Sequence, residues 1–368
     1  MICPIRKDYL KGMNLSISEY LHQSEQWEKK LLGIQCYADD LFRMNAELTV
    51  PKICVPMERL DENSICAVWQ GSDSPKADQY EAINYRYDNN LLFGVITLSE
   101  TMFDTNTDKT PIQLATECAY SQIFSLIDKL SFPYLFRIWN YIADINYQSF
   151  GLERYVQFNL GRQDAFISHG RDVVGNVPAA CALGFESLSD KAIPNKDSLM
   201  ISFLAGRVEP QCIENHRQIS AYQYPQQYGL RSPTFSRASL VRVGLDDVLF
   251  ISGTASIVGH TTLHAGDVIA QTRETMENIK IILAEANQRM SHTKFELSDL
   301  SYTVYIRHRE DIENIRNELT FCIGDKLKAI YLQANVCRKD LLLEIEATAG
   351  HMPTYIDSHQ FFDSQRTN

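Results

Sequence analysis

Two glutamates beside an apolar run are the first residues in this sequence that could do chemistry. Glu344 and Glu346 follow the leucines of residues 341–343 and lie two residues apart. Because alternate residues of a β-strand point to the same face, the sequence predicts both carboxyl groups on one side of a strand. Burial raises the pKa of a carboxyl group and suits it to general acid catalysis near neutral pH. Glu344 is the favoured acid because it adjoins the apolar run; the alternative is an exposed face at a sheet edge.

A second candidate is the irregular segment of residues 222–237. It contains three tyrosines, two arginines, two prolines and one glycine, with no regular period. Arginine forks bind carboxylates in bidentate fashion, and tyrosine hydroxyl groups bind other polar groups. The segment therefore suits the binding of a planar carboxylate, and the alternative is a surface loop.

Two single residues complete the set of candidates. Arg162 lies near the end of a predicted helix over residues 154–166, where it either binds a ligand or complements the helix dipole. Cys337 precedes a charged stretch without an obvious base partner, which is more typical of packing than of a nucleophile. The sequence has no Walker loop, GxGxxG, HExxH or GxSxG motif, so nothing supports a phosphate or dinucleotide cofactor.

Length and charge limit the class of protein. The 368 residues predict two domains, or three, at about 150 residues each. The net charge of −11 argues against nucleic acid or anionic membranes as main partners. No apolar run approaches the ~18 residues of a membrane span. The first residues lack the apolar core of a signal peptide, so we expect a cytoplasmic protein.

Cysteine and histidine spacing gives no sign of a metal site. The nine cysteines form no CxxC pair, and we expect reduced, mostly buried thiols rather than a disulfide framework or a zinc site. His260 and His264 are four residues apart, but the glycines and threonines around them predict a turn rather than a helix face.

The elements that must position these candidates form two α/β patterns. In the first half, we predict a strand at 91–97, a helix from Pro111 to about 130, a strand at 134–141 and a helix at 154–166. The polar stretch 187–197 predicts a domain boundary. In the second half, we predict strands at 247–256, 299–306 and 340–347, with helices after Asp267 and at 309–319. This β-α-β-α-β order predicts a sheet with two helices on one face.

The second half resembles the RidA/YjgF superfamily. The similar segments are 249–253 (LFISG), 271–279 (QTRETMENI), 303–306 (TVYI) and 343–347 (LEIEA). RidA-type imine deaminases carry an arginine at the start of the strand before the Glu-Ile-Glu strand, whereas this chain has Lys328 and no arginine over 328–332. The resemblance therefore implies the fold and argues against imine deamination.

A longer resemblance, over most of residues 130–350, is to the chorismatases, which are chorismate-cleaving enzymes of the 3-hydroxybenzoate synthase type. The similar segments are 137–141 (RIWNY), 153–162, 203–207 (FLAGR), 222–237, 252–260 (SGTASIVGH) and 337–347 (CRKDLLLEIEA). The resemblance implies an α+β chain of two domains, an N-terminal degenerate α/β unit (residues 1–190) and a RidA/YjgF-like unit (residues 191–368).

The resemblance also implies a mechanism. A glutamic acid matching Glu344 protonates the terminal methylene carbon of the enolpyruvyl ether of chorismate, and the oxocarbenium ion collapses with loss of pyruvate. The residues that match ligands for the two carboxylates and the ring hydroxyl are Arg162, Tyr222, Tyr228, Arg231 and Arg237. A cysteine matching Cys337 is similar to the hydroxybenzoate-forming branch, and a second position within 253–256 contributes to the branch. No metal or organic cofactor is implied.

Three functions follow from these residues. The leading one is formation of 3-hydroxybenzoate, with or without 4-hydroxybenzoate, from chorismate. The second keeps the fold and changes the reaction, either to hydrolysis of chorismate to a dihydroxycyclohexadiene carboxylate or to RidA-like imine deamination. The third is a non-catalytic module that binds an aromatic acid. Two linked units can form a site within one chain, so a monomer and a homo-oligomer both stay open.

Overall fold

The computed structural model describes residues 5–11, 29–37, 50–61, 65–71, 74–104, 107–186, 198–243, 246–290, 294–351 and 355–357. The predicted boundary segment, residues 187–197, lies outside this part of the chain. In chain order the strands are β1 (Arg6–Lys11), β2 (Leu31–Tyr37), β3 (Lys52–Val55), β4 (Ile65–Gln70), β5 (Lys76–Tyr80), β6 (Ile83–Tyr87), β7 (Leu91–Ser99), β8 (Tyr134–Ala143), β9 (Gln148–Ser149), β10 (Leu152–Glu153), β11 (Ala179–Phe185), β12 (Ser198–Gly206), β13 (Gln211–Ile213), β14 (Ala238–Val243), β15 (Asp246–Thr254), β16 (Ile257–Val258), β17 (Thr261–Thr262), β18 (Ser301–Ile306), β19 (Lys328–Gln333), β20 (Asn335–Val336), β21 (Leu343–Ala349) and β22 (Tyr355–Asp357). The α-helices are α1 (Pro111–Lys129), α2 (Arg154–Ser168), α3 (Val268–Arg289) and α4 (Ile312–Ile323).

The first α/β unit is a seven-stranded sheet in the order β20-β11-β8-β12-β7-β6-β5, with α1 and α2 packed together over one face. Helix α1 begins where predicted because the Thr110 side chain accepts a hydrogen bond from the Gln113 backbone N–H and Pro111 occupies the first turn. The predicted strands and helices of this half are all present. Its second helix ends at Ser168, so Arg162 lies well inside the helix rather than at its end.

The second α/β unit is a six-stranded sheet in the order β13-β14-β15-β21-β18-β19, and α3 and α4 cover one face of it. The predicted β-α-β-α-β order is confirmed. Strand β21 pairs with β15 on one side and with β18 on the other, so it lies in the middle of the sheet. The alternative of an edge strand with exposed glutamates is therefore wrong.

The two units have the same strand order. β11-β8-β12-β7-β6-β5 in the first corresponds to β19-β18-β21-β15-β14-β13 in the second. The prediction of an α+β chain whose first half is a related α/β unit is confirmed. The division into residues 1–190 and 191–368 stays a prediction; β12 lies beyond that boundary, yet it pairs within the first sheet.

A five-stranded sheet in the order β22-β1-β4-β2-β3, which the sequence reasoning missed, covers part of the remaining face of the first unit. Trp69 on β4 packs against Trp139 on β8, with ring centroids 5.3 Å apart. The bare faces of the two units meet where β11 packs against β14 and β15, and the Ala180 backbone N–H donates to Ser252 Oγ at 2.9 Å. The site described below lies at this junction.

The cysteines differ from expectation. Cys36 on β2 lies opposite Cys66 on β4, and a disulfide bond joins them, so the prediction of reduced thiols is wrong for this pair. Pairing of strands distant in sequence brings the two together, and spacing does not show it. Of the free cysteines in the described chain only Cys181 is buried, and the others are half-buried. His260 and His264 lie in a turn, as predicted.

Two negative observations apply to the described residues alone. They contain no group of three or more histidine, cysteine, aspartate and glutamate side chains arranged to hold a metal ion. None of their helices has both the length and the apolar content needed to cross a bilayer.

Candidate active site

A cavity of about 610 Å³ opens at the junction of the two units. Its walls come from β10 and α2, from β11, from the segment 218–237, from the end of β15 and from the segment after β20. The predicted candidates that line it are Arg162, Tyr228, Arg237, Cys337 and Glu344. The segment 222–237 is thus a wall of the cavity and not a simple surface loop.

Glu344 occupies the inner end of the cavity and is 4% exposed. Burial, and after it the negative charge of Glu346, raise the pKa of its carboxyl group to about 8, and Arg137 opposes the shift. Within the described chain no donor is hydrogen-bonded to this carboxyl group, so no partner fixes its ionised form. A carboxyl group with this pKa is largely protonated at pH 7.

Gly253 on β15 makes room for that carboxyl group. A Cβ atom built on Gly253 would overlap Glu344 Oε1 and would lie 3.2 Å from Cys181 Cβ. The strand pairing of β15 with β21 shifts register just before this point, between Ile251 and Thr254. Glycine at 253 lets the carboxyl group lie against the backbone of β15.

The other glutamate of the pair, Glu346, has the opposite surroundings. Its carboxylate forms an ion pair with Arg137 and accepts a hydrogen bond from Trp139 Nε1 at 3.3 Å. Glu346 is also 4% exposed, but it is not among the residues that line the cavity. One strand face therefore carries a protonated carboxyl group at the cavity and a paired carboxylate behind it.

Three arginines of the cavity wall keep donors without a protein partner. Within the described residues, Arg162 Nε, Arg237 Nε and Arg338 Nη2 are buried and have no hydrogen-bond acceptor. Arg162 is held by Asn159 Oδ1 at 2.8 Å, and Arg237 by the Ile219 carbonyl oxygen at 2.8 Å. Buried cationic donors of this kind are receptors for a bound anion.

Arg338 is the cation that sequence reasoning missed. Its Nη1 donates to the His260 carbonyl oxygen at 2.8 Å, and its guanidinium lies 4.0 Å from the centroid of the Tyr228 ring. Tyr224 also packs against this group, at 5.1 Å, and its hydroxyl accepts a hydrogen bond from Arg237 at 3.0 Å. The position of Arg338 directly after Cys337, in a segment that resembles a known family, was the available signal.

Two predicted ligands are not part of the wall. Tyr222 lies in a single 3-10 turn, and Tyr224, two residues on, lines the cavity instead. Arg231 is 44% exposed and lies 3.7 Å from Asp164. Neither residue is among those that line the cavity in the described chain. The roles predicted for them stay untested, and the geometry gives no support to direct binding by either.

Cys337 faces the cavity beside Glu344. Burial raises the pKa of its thiol to about 12, and the Glu344 carboxyl group adds to the shift. A thiol with this pKa is neutral at pH 7 and is a poor nucleophile. Its contribution is therefore volume and polarity in the wall next to the acid.

Fold and cavity together define a class: a two-unit α+β protein with a RidA/YjgF-like second unit and a buried acid at an anion-binding cavity between units. A sequence profile described as chorismatase FkbO/Hyg5-like, N-terminal, matches residues 67–205. A chorismatase of Streptomyces rapamycinicus is 32% identical over 357 residues, which are 95% of this chain and 100% of that protein. A 3-hydroxybenzoate synthase of Streptomyces hygroscopicus is 30% identical over 329 residues, covering 86% of this chain and 91% of that protein.

Two further comparisons concern the fold. A crystal structure of a chorismatase superposes with a TM-score of 0.80 at 27% identity, covering 94% of this chain and 98% of that one. A RutC family protein of Pyrococcus horikoshii is 33% identical over 104 residues, 27% of this chain and 77% of that protein. The chain belongs to the chorismatase family of chorismate-cleaving enzymes.

Proposed function

We propose that this protein converts chorismate to 3-hydroxybenzoate and pyruvate, with Glu344 as the general acid. The observation that carries the proposal is the neutral, buried carboxyl group of Glu344 at the inner end of a cavity lined by arginines. Protonation of a carbon atom needs a positioned acid whose pKa lies near the working pH, and Glu344 meets both requirements.

Binding begins with the two carboxylates of the substrate. Arg237 and Arg338 lie around Tyr224 on one wall of the cavity, and Arg162 projects from α2 on another. Each offers a buried donor that no described residue uses, so a dianion satisfies groups that are otherwise unpaired. Tyr228 packs against Arg338 and accepts or donates a hydrogen bond with His260 Nδ1 at 3.2 Å, which fixes both rings.

Glu344 then transfers its proton to the terminal methylene carbon of the enolpyruvyl group. The carbon–carbon double bond supplies the electron pair, and the positive charge that forms is shared with the ether oxygen as an oxocarbenium ion. Capture of this ion by the neighbouring ring hydroxyl, or elimination, aromatises the ring and releases pyruvate without consuming water. A proton leaves the ring in the same sequence and restores the acid.

Cys337 supports the hydroxybenzoate branch over hydrolysis. Its neutral thiol occupies wall volume beside Glu344, where a smaller side chain would admit water to the ion. The Streptomyces hygroscopicus relative carries the name 3-hydroxybenzoate synthase, and that name supports the same branch. 4-Hydroxybenzoate is a second product of the same ion if elimination competes with capture by the ring hydroxyl.

The test mixes purified protein with chorismate, follows pyruvate through lactate dehydrogenase and identifies the ring product by chromatography. We expect pyruvate with 3-hydroxybenzoate, and turnover in D₂O with immediate reduction should give lactate that carries one deuterium in its methyl group. Pyruvate with a non-aromatic diene-diol would keep the family and overturn the branch. Pyruvate release no faster than the uncatalysed background would contradict the proposal.

The Cys337→Ala variant tests the branch separately from the acid. We expect continued pyruvate release with an increased share of the hydrolysis product, because water reaches the ion. Cys212→Ala is the matched control, since Cys212 is half-buried and is not among the lining residues of the described chain. An unchanged product ratio in Cys337→Ala would remove Cys337 from the proposal.

A further inference from the structure

The proposed mechanism uses Glu344 of β21 and assigns no role to Glu346 on the same strand. Glu346 follows Glu344 on the same strand face, about 7 Å further along at the usual rise of a strand. A buried carboxylate is costly unless it is paired, and Glu346 is paired with Arg137 of β8, which is itself 1% exposed. The buried carboxylate of Glu346 in the second unit is therefore paired with an arginine of the first unit.

The geometry of this pair separates the two glutamates. Arg137 and Trp139 both donate to Glu346, from alternate positions of β8, so the carboxylate is held from the side opposite the cavity. Glu344 has no such donor in the described residues. When two nearby carboxyl groups have such different surroundings, one holds the proton and the other holds the charge.

We propose that Glu346, which is ion-paired with Arg137 and accepts a hydrogen bond from Trp139, is a positioning residue whose negative charge keeps the proton on Glu344. The inference rests on the proposed role of Glu344 as the acid, and it adds the group that sets the protonation of that acid. Glu346 does not touch the substrate, so it acts through Glu344 alone.

Several titratable and charged groups surround Glu344 besides Glu346. Burial raises the pKa of the neighbouring thiols and phenols, so they are neutral at pH 7. These neutral groups are Cys181 on β11, Tyr155 on α2, Tyr305 opposite Glu344 on β18, and Cys337 after β20. The charged groups are Arg137 on β8, Lys7 on β1 beside Glu346, Glu153, Arg307 and Arg338 around Cys337, and the cavity-lining residues Arg162, Arg237 and Asp340. Among the negative groups, Glu346 is the one whose charge raises the pKa of Glu344.

The directions of the shifts agree with this arrangement. Burial is the largest cause of the raised pKa of Glu344; the charge of Glu346 is the next cause and also raises it, whereas Arg137 lowers it. Burial lowers the pKa of Lys7 to about 8, so this lysine is only partly charged near that pH. Removing the charge of Glu346 must therefore lower the proton affinity of Glu344.

The experiment measures that affinity in two ways: the high-pH limb of the kcat profile with chorismate, and the infrared carboxylic-acid band of Glu344, assigned by its absence in Glu344→Gln. For Glu346→Gln we expect both midpoints to move down by at least one pH unit, with a loss of kcat of about fivefold or more at pH 8 and a smaller loss at pH 6.

A purely structural role for the pair predicts loss of folded protein or a uniform loss of rate, with unchanged midpoints, and that result would overturn the proposal. If Glu346→Gln fails to fold, the uncharged pair Glu346→Gln with Arg137→Met replaces it; its midpoint is expected below that of the parent, and an equal or higher midpoint contradicts the proposal. The infrared titration needs no turnover, so a failure of the proposed function leaves it readable.

Discussion

The two units share one strand order, yet their central strands have different contents. On the face away from the helices, β12 of the first unit carries Met200, Ser202 and Leu204, whereas β21 of the second carries Glu344 and Glu346. The five-stranded sheet covers the face of β12, and Gln35 donates to Ser202 Oγ there at 2.7 Å. The first unit itself covers the face of β21. The same position in a repeated fold is thus a packed core in one copy and an acid site in the other.

The two units contribute different residues to the site. The second unit supplies the acid and the glycine that makes room for it, while the first supplies Arg137, Arg162 and Cys181 around it. A glycine makes room in each unit: Gly94 on β7 accommodates the Phe203 ring, and Gly253 on β15 accommodates the Glu344 carboxyl group. The two glycines make room on different faces of their sheets: Phe203 lies on the helix-covered face of the first unit, and Glu344 lies on the face of the second unit that lines the cavity.

The sharpest test of this division compares Glu344→Gln with Ser202→Ala. Removing the proposed general acid is expected to lower kcat by about 1,000-fold, within the range for general acid catalysis, with binding of 3-hydroxybenzoate retained. Ser202→Ala, on the corresponding strand, is expected to change kcat by less than about threefold, because a buried residue that does not line the cavity makes no transition-state contact. Steady-state kinetics and product-binding calorimetry measure both. A comparable loss of kcat in the two variants would contradict the assignment of Glu344 to the site and of Ser202 to the core.

Substitution of an arginine that lines the cavity is expected to have the next largest effect on activity. Arg162→Met is expected to lower kcat/KM by about 10- to 100-fold, because a charge-assisted hydrogen bond contributes about 1.5–3 kcal/mol. Arg231→Met is the matched control; its side chain is 44% exposed, and we expect a change of less than about threefold. Initial rates at several chorismate concentrations decide between them. Equal losses would show that the exposed arginine reaches the substrate after all.

The two glycines should respond differently to one added methyl group. Gly253→Ala is expected to displace the Glu344 carboxyl group and to lower kcat by about tenfold, since a small misplacement of a reacting group is costly. Gly94→Ala is expected to lower the free energy of unfolding by about 1–3 kcal/mol through overpacking against Phe203, with kcat per folded molecule unchanged. Denaturant unfolding and active-site-normalised rates separate the two outcomes. Loss of kcat without loss of stability in Gly94→Ala would contradict the division of roles.

The smallest effect concerns stability against pH. The folded chain holds the Glu344 proton up to a pKa of about 8, whereas an unfolded chain releases it near 4.5. Between these values the folded state binds more protons, so this contribution to stability falls as pH rises. We expect Glu344→Gln to gain stability relative to the parent from pH 7 to pH 8, by about 1 kcal/mol. Urea unfolding at both pH values measures it, with Ser202→Ala as the control that should show no pH-dependent difference.

The local pattern of β21 predicted its part of the site well. Alternation placed Glu344 and Glu346 on one face, and the apolar residues around them predicted burial. The pattern could not show that the same topological position in the first unit, β12, carries no acid. It also could not show that Arg137, two hundred residues earlier, pairs with Glu346, because that contact depends on how the two sheets pack.

The segment 222–237 was predicted as a binding segment but not residue by residue. It has two short 3-10 turns and no repeating period, so sequence gives no rule for which side chains point inward. Tyr224 and Arg338 line the cavity where Tyr222 and Arg231 were expected. The disulfide between Cys36 and Cys66 was missed for a related reason, since it joins strands whose pairing is not local in sequence.

Strand β22 runs parallel to β1, with Tyr355 opposite Tyr9. The sheet behind Glu346 therefore joins a segment that precedes both α/β units in the chain to a segment that follows them. Chains are synthesised from the N-terminus, and contacts of high sequence separation form late and slowly. The sheet that contains Lys7 is complete only after residue 357 has been synthesised. The surroundings of Glu344 are therefore complete only after translation has passed both α/β units.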